Sequence, residues 1–169
     1  MMKTMNKTLK LCLTAMFMAL TCIVTMLHFP IPLGYAHLGN SIILIAIYYF
    51  NTKYGILAGS IGSALADMLT GFNEWIIPTL LIKALMAGTA AAVGKKSDKF
   101  KLYSARTILA VVLGMSIMVV LYTLSGALMY QSWAAGFSQT PGLALEGIAN
   151  IVVFFALGSI MNRIKIFQQ

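Results

Sequence analysis

The chain has 169 residues and a formal net charge of +8, and 60% of its residues are hydrophobic whereas only 9% are charged. Because soluble domains carry about 25% charged residues, this composition, with a mean hydropathy of +0.88, excludes a soluble monomer. The 12 Lys and Arg residues fall between apolar runs and form no patch interleaved with aromatic residues, which excludes nucleic acid as a partner.

The apolar runs are long and lack the period-two alternation of an outer-membrane barrel, so they are predicted to be helices. Since a membrane-spanning helix takes about 20 apolar residues, the length allows about six spans. The sequence therefore predicts an all-α polytopic membrane protein, in which residues 1–169 form a single domain of six transmembrane helices in the lipid bilayer.

Proline and glycine residues separate the predicted helices. A Pro-rich break at 30–34 ends helix 1, Gly71 ends helix 3, and Pro78 and Pro141 lie in the first turns of helices 4 and 6. Helix 2 is short for the hydrocarbon core, so its neighbours are expected to shelter it. In chain order the predicted helices are about 8–28, 38–51, 54–71, 76–94, 106–131 and 141–163.

The basic residues predict the orientation, because Lys and Arg are retained on the cytoplasmic face. The predicted outer loops 29–37, 72–75 and 132–140 contain neither, so both termini are predicted to be cytoplasmic. Lys83, inside helix 4, is the one basic residue outside this pattern. The others are Lys3, Lys7, Lys10, Lys53, Lys95, Lys96, Lys99, Lys101, Arg106, Arg163 and Lys165.

Motifs of redox, metal or nucleotide chemistry are absent from the sequence. Cys12 and Cys22 lie in the first apolar segment without CxxC spacing, so neither a metal nor a disulfide is predicted. No phosphate loop, G-x-S-x-G or H-E-x-x-H is present. The chain is therefore predicted to have no cofactor, not to be an enzyme and not to hydrolyse ATP itself.

Three charged residues fall inside predicted helices, where charges are costly and mark functional sites. Asp67, Lys83 and Glu146 all lie near the outer ends of their helices, at a similar depth. One interpretation is an Asp67–Lys83 ion pair between adjacent helices that stabilises the bundle. Glu146 has no basic partner in the membrane and has Asn150 one turn deeper on the same face. Such a polar cluster is what a small polar ligand requires.

Aromatic and polar residues near the predicted outer face complete the candidate site. Trp and Tyr are also enriched at membrane interfaces, so a simple anchoring role stays open for each aromatic residue. His37 has the alternative of a solvated loop residue, and Asn40 that of a helix cap. The candidates are Trp75 with Glu74, Tyr130, Trp133, Tyr35, His37 and Asn40.

Small residues recur at helical spacing in helices 1 and 3. Gly55, Gly59 and Ser63 form one stripe of helix 3, which predicts close packing inside the bundle. Helix 1 carries Ala15 and Ala19 among methionines, a combination that suits a surface for docking a partner.

Nearly the whole chain resembles one known family, and the specific stretches open helix 2 and lie in helices 3 and 4. They are His37-Leu38-Gly39-Asn40, Lys53-Tyr54-Gly55, Gly62-Ser63-Ala64-Leu65-Ala66-Asp67, Pro78-Thr79, Ile82-Lys83 and Gly88. With these stretches the chain resembles the S component, the substrate-binding membrane subunit, of energy-coupling-factor (ECF) vitamin transporters. The likeness is closest to the riboflavin-transporter-like branch of this group of ABC transporters.

The resemblance implies a six-helix vitamin binder in a prokaryotic plasma membrane. Its partners would be a transmembrane coupling subunit, the T component, and two cytoplasmic ATPases that supply the energy. Ala15 and Ala19 match the family's contact for the T component. The ligand would enter a pocket between helices 4, 5 and 6, and the subunit would topple in the membrane to release it inside.

The buried Lys and Glu favour a small ring with hydroxyl, amine and ring-nitrogen groups, as in vitamin B6 compounds or hydroxymethylpyrimidine. Riboflavin is the alternative within the family. Outside it, a self-sufficient ion-coupled transporter would use Asp67 and Glu146 as ion sites, although no inverted repeat is visible. A purely structural subunit is the other alternative, and it predicts that Lys83→Ala alters stability without any ligand phenotype.

Overall fold

A computed structural model describes residues 6–31, 34–94 and 101–163. Within these ranges the chain forms six α-helices and two short strands. They are α1 (Lys7–Met26), β1 (Phe29–Ile31), β2 (Gly34–Ala36), α2 (Gly39–Ile45), α3 (Thr52–Thr70), α4 (Ile76–Gly94), α5 (Ala105–Met129) and α6 (Trp133–Arg163). A π-helical segment, Ala46–Phe50, continues α2, and a 3-10 turn, Asn73–Trp75, precedes α4.

Four helical segments are long and apolar enough to cross a membrane: Lys7–Met26, Asn73–Gly94, Ala105–Met129 and Trp133–Arg163. The segment Gly39–Phe50 is apolar but shorter. The fold thus supports a multi-pass helical membrane protein, whereas the count of six spans and the cytoplasmic termini stay predictions. Part of the basic pattern behind that orientation, namely Lys3, Lys95, Lys96, Lys99 and Lys165, lies outside the described residues.

Local signals in the sequence account for several helix ends. The Asn51 side chain accepts a hydrogen bond from the Tyr54 amide at the start of α3 (3.3 Å). Gly71 follows the last turn of α3 with φ 86°, a left-handed conformation that favours glycine. The Ser104 hydroxyl accepts from the Thr107 amide at the start of α5 (3.1 Å). These ends lie within two or three residues of those predicted, as is usual for helix boundaries.

The predicted start of helix 6 at residue 141 is wrong, because α6 begins at Trp133. Ser132 caps this start: its carbonyl accepts from the Gly136 amide (3.1 Å) and its hydroxyl from the Ala135 amide (3.3 Å). Pro141 lies inside the helix and removes a single backbone donor, a loss that neighbouring helices make tolerable. The predicted outer loop 132–140 is therefore almost entirely helical, and helix 5 ends at Met129 rather than 131.

The first predicted outer loop also contains regular structure. Strands β1 and β2 form an antiparallel ribbon in which Phe29 lies opposite Ala36. The all-α prediction therefore describes the bundle but misses this ribbon. The end of the bundle that carries it is called the ribbon end below.

The helices pack with α2 at the centre. Helix α1 packs on α3, α3 on α4, α4 on α5, and α5 on α6, while α2 contacts α1, α3 and α6. The predicted shelter of helix 2 is confirmed, since Ile43, Leu44 and Ile47 are fully buried. They share the apolar core with Met86, Met118 and Phe154. Asp67, Lys83 and Glu146 lie beside this core, towards the ribbon end.

Candidate functional site

A chain of hydrogen bonds joins three helices through Asn40. The Lys83 ammonium on α4 donates to Asn40 Oδ1 (2.6 Å), and Asn40 Nδ2 donates to Glu146 Oε1 on α6 (2.8 Å). Lys83 is 1% exposed and Glu146 is 5% exposed. Because burial of a lone charge is costly, the amide stabilises both ions by linking a cation to an anion. Asn40 is thus a bridge between two charges rather than the helix cap of the alternative interpretation.

Other groups surround the Lys83 ammonium. It lies 5.0 Å from the centroid of the Tyr122 ring, a distance that allows a cation–π interaction. The Met118 sulfur lies 3.7 Å from the ammonium and 3.2 Å from Asn40 Nδ2. A direct Asp67–Lys83 ion pair is not formed, because the ammonium is directed to Asn40. That interpretation of the sequence is therefore wrong.

Asn150 anchors the start of α2 to α6. Its side-chain oxygen accepts from the Ser41 amide (2.8 Å), and its Nδ2 donates to the carbonyls of His37 (2.7 Å) and Glu146 (2.9 Å). Asn150 is fully buried, so water does not compete for these hydrogen bonds. Its predicted position one turn from Glu146 is confirmed, and the contacts give it the role of holding His37 and Asn40 in place.

His37 lies against Glu146 rather than in solvent. Its Nε2 is 3.5 Å from Glu146 Oε1, and only 14% of its side chain is exposed. Burial, together with the positive charge of Lys83 and with His28, holds the pKa of His37 well below its usual value of 6.5. The imidazole is therefore neutral at physiological pH, and its contact with Glu146 is a polar contact and not an ion pair. The alternative of a solvated loop histidine is wrong.

Lys83, Glu146 and His37 line a cavity of about 150 Å³ near the ribbon end of the bundle. Trp75 lies on one side, with its ring centroid 5.8 Å from that of Tyr122. The sequence-predicted residues that line the cavity are His37, Asp67, Trp75, Lys83 and Glu146. Two carboxyl groups, an ammonium and two aromatic rings therefore face one small space, an arrangement that suits a small polar aromatic ligand.

Four further residues line the cavity that sequence reasoning did not select: Thr79, Tyr122, Gln139 and Leu143. The Tyr122 hydroxyl donates to Thr79 Oγ1 (3.0 Å). The sequence did contain a signal for Tyr122: a hydroxyl in the middle of an apolar helix needs a buried hydrogen-bond partner. Gln139 was missed for another reason: it lay in the predicted loop, and only the earlier start of α6 directs it to the cavity.

Comparison with known proteins gives the family. Residues 5–163 match the family described as "ECF-type riboflavin transporter, S component". The chain belongs to this family. An S component is a subunit of a transporter and not an enzyme, and the family supports a role in vitamin uptake.

Two individual similarities cover most of this S component. A protein of Pyrococcus woesei described as "Uncharacterized protein in gap 3'region" is 29% identical over 147 residues, which are 86% of this chain and 95% of the other. A solved structure described as the S component of a bacterial ECF transporter superposes with a TM-score of 0.75 at 19% identity, covering 95% of this chain and 99% of that one. The structural likeness shows the shared fold.

Five predicted site residues do not line the cavity of the S component: Asn40 and Asn150, which hold its lining residues through hydrogen bonds, and Glu74, Tyr130 and Trp133. Glu74 is exposed in the 3-10 turn, and Trp133 is 62% exposed beside Phe137, with ring centroids 6.3 Å apart. The Tyr130 ring lies 6.3 Å from that of Trp75 and is itself half exposed. It contacts the wall of the cavity from outside. The side chain of Tyr35, another predicted candidate, lies outside the part of the chain that the structure describes.

The predicted docking surface lies on the outside of the bundle. Ala15 and Ala19 are exposed on α1, and so are the larger neighbours Met16, Leu20 and Ile23. Small residues on an exposed helix face allow another helix to approach its backbone closely. The T component as the occupant of this face stays a prediction.

Proposed function

We propose that this S component binds a small heteroaromatic vitamin or precursor for uptake, of vitamin B6 type (pyridoxine or pyridoxamine) or hydroxymethylpyrimidine. The observation that carries the proposal is the cavity of about 150 Å³ into which Lys83, Glu146 and Asp67 are gathered. Pockets for larger ligands hold about 300–1,000 Å³, so this volume favours a compact ring.

The chemistry of the lining supports the same class. Trp75 and Tyr122 offer aromatic faces on which a heterocycle stacks. Lys83, Glu146 and Thr79 offer donors and acceptors for ring hydroxyl, hydroxymethyl and nitrogen groups. A ring that carries several polar substituents satisfies these groups, whereas a large apolar ring system leaves them unpaired at a cost.

Riboflavin is the second candidate, and the description of the matched family favours it. Its three-ring system requires a longer slot than the cavity of about 150 Å³ provides. Riboflavin is coloured and the B6 compounds and hydroxymethylpyrimidine are not, so the two candidates are easily separated.

The uptake cycle follows from the family role. The ligand enters the cavity from the outer side of a prokaryotic plasma membrane, with both termini of the chain in the cytoplasm. The exposed Ala15 and Ala19 face of α1 contacts the T component, and two cytoplasmic ATPases drive the toppling that releases the ligand inside. The exposed small residues on α1 and the lack of a phosphate loop in the sequence support this division of labour.

Native mass spectrometry of the detergent-purified chain tests the substrate, with the colour of the preparation noted. A colourless preparation that retains a mass of B6 or pyrimidine size supports the proposal. A yellow preparation with riboflavin keeps the family and overturns the substrate. If no added vitamin binds, a structural or ion-coupled role replaces vitamin binding.

Two variants test the assigned ligand-binding residue and the assigned contact with the T component. Glu146→Gln removes the charge that balances Lys83, so it should weaken ligand binding at least about tenfold while the protein stays folded. The matched control is Glu74→Gln, at an acid outside the cavity. Bulky residues at both Ala15 and Ala19 should leave binding intact and abolish ATP-driven uptake. Unchanged affinity in the first variant removes Glu146 from the site, and surviving uptake in the second moves the contact elsewhere.

A further inference from the structure

The charges that line the cavity do not balance. Two acids, Asp67 and Glu146, and one basic residue, Lys83, face it. His37 contributes no charge because its pKa is held well below its usual value by burial and by Lys83. The lining therefore holds two carboxyl groups but a single ammonium group.

The hydrogen bonds show which of the two acids is not linked to Lys83. Glu146 and Lys83 are linked through the Asn40 amide, with distances of 2.8 and 2.6 Å. Asp67 takes no part in these hydrogen bonds between Lys83, Asn40 and Glu146. Its Oδ2 is buried and accepts no hydrogen bond from the residues that the structure describes. Asp67 is thus the acid whose pairing the bundle leaves incomplete.

The surroundings of Asp67 place it at the ligand. It lies in the last turn of α3 and lines the cavity together with Thr79 and Tyr122. The Thr79 hydroxyl accepts from Tyr122, and its own hydrogen is left for another acceptor such as the Asp67 carboxyl group. A carboxylate turns readily about its last torsion, so either oxygen can meet a ligand donor.

We propose that Asp67 is a specificity-determining residue that selects a ligand with a protonated amine, such as the aminomethyl group of a B6-type ring, over the same ring with a hydroxyl in that position. The inference rests on the proposed function and names the substrate class of the same site. An ammonium group of the ligand pairs with the Asp67 carboxyl group and donates a charge-assisted hydrogen bond to it, whereas a hydroxyl group donates only a neutral one.

Pyridoxamine and pyridoxine form a matched pair for the test, because they differ in an aminomethyl against a hydroxymethyl group. Their affinities for the full-length chain in detergent are measured by isothermal titration calorimetry. The wild type should bind pyridoxamine at least about tenfold more tightly. In Asp67→Asn this preference should fall to within about threefold, mainly through weaker pyridoxamine binding. Asp67→Glu, which keeps the charge, should retain a preference for the amine.

The control is Glu74→Gln, which removes an acid outside the cavity and should keep the wild-type preference. Equal affinities of the wild type for the two compounds overturn the inference without any variant, so it stays testable even if Asp67→Asn does not fold. Equal weakening of both ligands in a folded Asp67→Asn also overturns it, since the residue would then have a general role. If the wild type binds neither compound, the inference fails, and titration with hydroxymethylpyrimidine then decides the proposed function, which fails too if that compound does not bind.

Discussion

Two polar regions of the bundle bury their groups in different ways. Between α2, α4 and α6, the side chains of Asn40, Lys83 and Asn150 form hydrogen bonds with distances of 2.6–2.9 Å. Between α1 and α3, the hydroxyls of Thr21 and Ser63 are buried and form no hydrogen bond with the residues that the structure describes. Both regions lie in one helical bundle.

In the second region, the backbones of α1 and α3 approach each other closely. Gly62 of α3 lies against the Met18 carbonyl of α1, and this contact brings Thr21 next to α3. Elsewhere helical hydroxyls bond to the carbonyl one turn before, as Thr14 does to Lys10 (2.7 Å). Hydrogen bonds between side chains therefore position the residues around the cavity. Small side chains instead bring α1 and α3 together, and they leave buried hydroxyls without hydrogen bonds.

The largest expected effect comes from breaking the first region at its bridge. Asn40→Leu removes the amide that links Lys83 to Glu146 and leaves two buried charges without it. The free energy of unfolding should fall by about 3–5 kcal/mol, measured by thermal unfolding in detergent. Asn73→Leu, at an exposed asparagine, is the matched control and should change little. A loss below about 1 kcal/mol in Asn40→Leu would show that the two ions pair without the bridge.

The second prediction breaks the close approach of α1 and α3. A Cβ at residue 62 would lie 2.5 Å from the Met18 carbonyl oxygen, a backbone atom that cannot turn aside. Gly62→Ala should therefore lower the free energy of unfolding by about 1–3 kcal/mol. Gly88→Ala meets no atom within 4 Å and should be neutral or slightly stabilising. Equal effects of the two changes on the unfolding temperature would contradict the packing argument.

The third prediction concerns pH and the first region. The pKa of His37 is held well below 6.5, so in mildly acid solution the unfolded chain binds a proton that the folded chain does not. Stability should therefore fall as the pH falls below about 6.5, with a slope of at most about 1.4 kcal/mol per pH unit. His37→Gln should flatten this dependence in unfolding measured between about pH 7.5 and 5.5. An identical pH profile in the variant would assign the effect to other groups.

The smallest expected effect is a change of opposite sign in the free energy of unfolding when a buried hydroxyl is removed from each of two threonines of α1. Thr21→Val keeps the shape of the side chain and removes a buried hydroxyl without a protein partner, so it should raise the free energy of unfolding by about 1 kcal/mol. Thr14→Val removes a hydroxyl that is bonded to Lys10 and should lower it by a similar amount. Both are measured by thermal unfolding in detergent. A destabilised Thr21→Val would mean that this hydroxyl has a partner after all.

Sequence reasoning alone predicts the helical membrane class, most helix boundaries and the charged members of the candidate site. Long apolar runs in a membrane predict helices, because in lipid every backbone polar group must be hydrogen-bonded within its own segment. Gly71 and Pro78 mark helix ends through local backbone preferences. Lys83 and Glu146 were found because a charge within an apolar run is too costly to be there without a role.

Which of these groups meet depends on how the helices pack. The start of α6 at Trp133 depends on neighbouring helices that make Pro141 tolerable, so the position of Gln139 could not be derived locally. Asn40 bridges Lys83 and Glu146 because three separate helices converge there. Helical periodicity predicts which face of one helix is polar but carries no distance between helices. The Asn40 bridge, the cavity and the incomplete pairing of Asp67 are all defined by such distances.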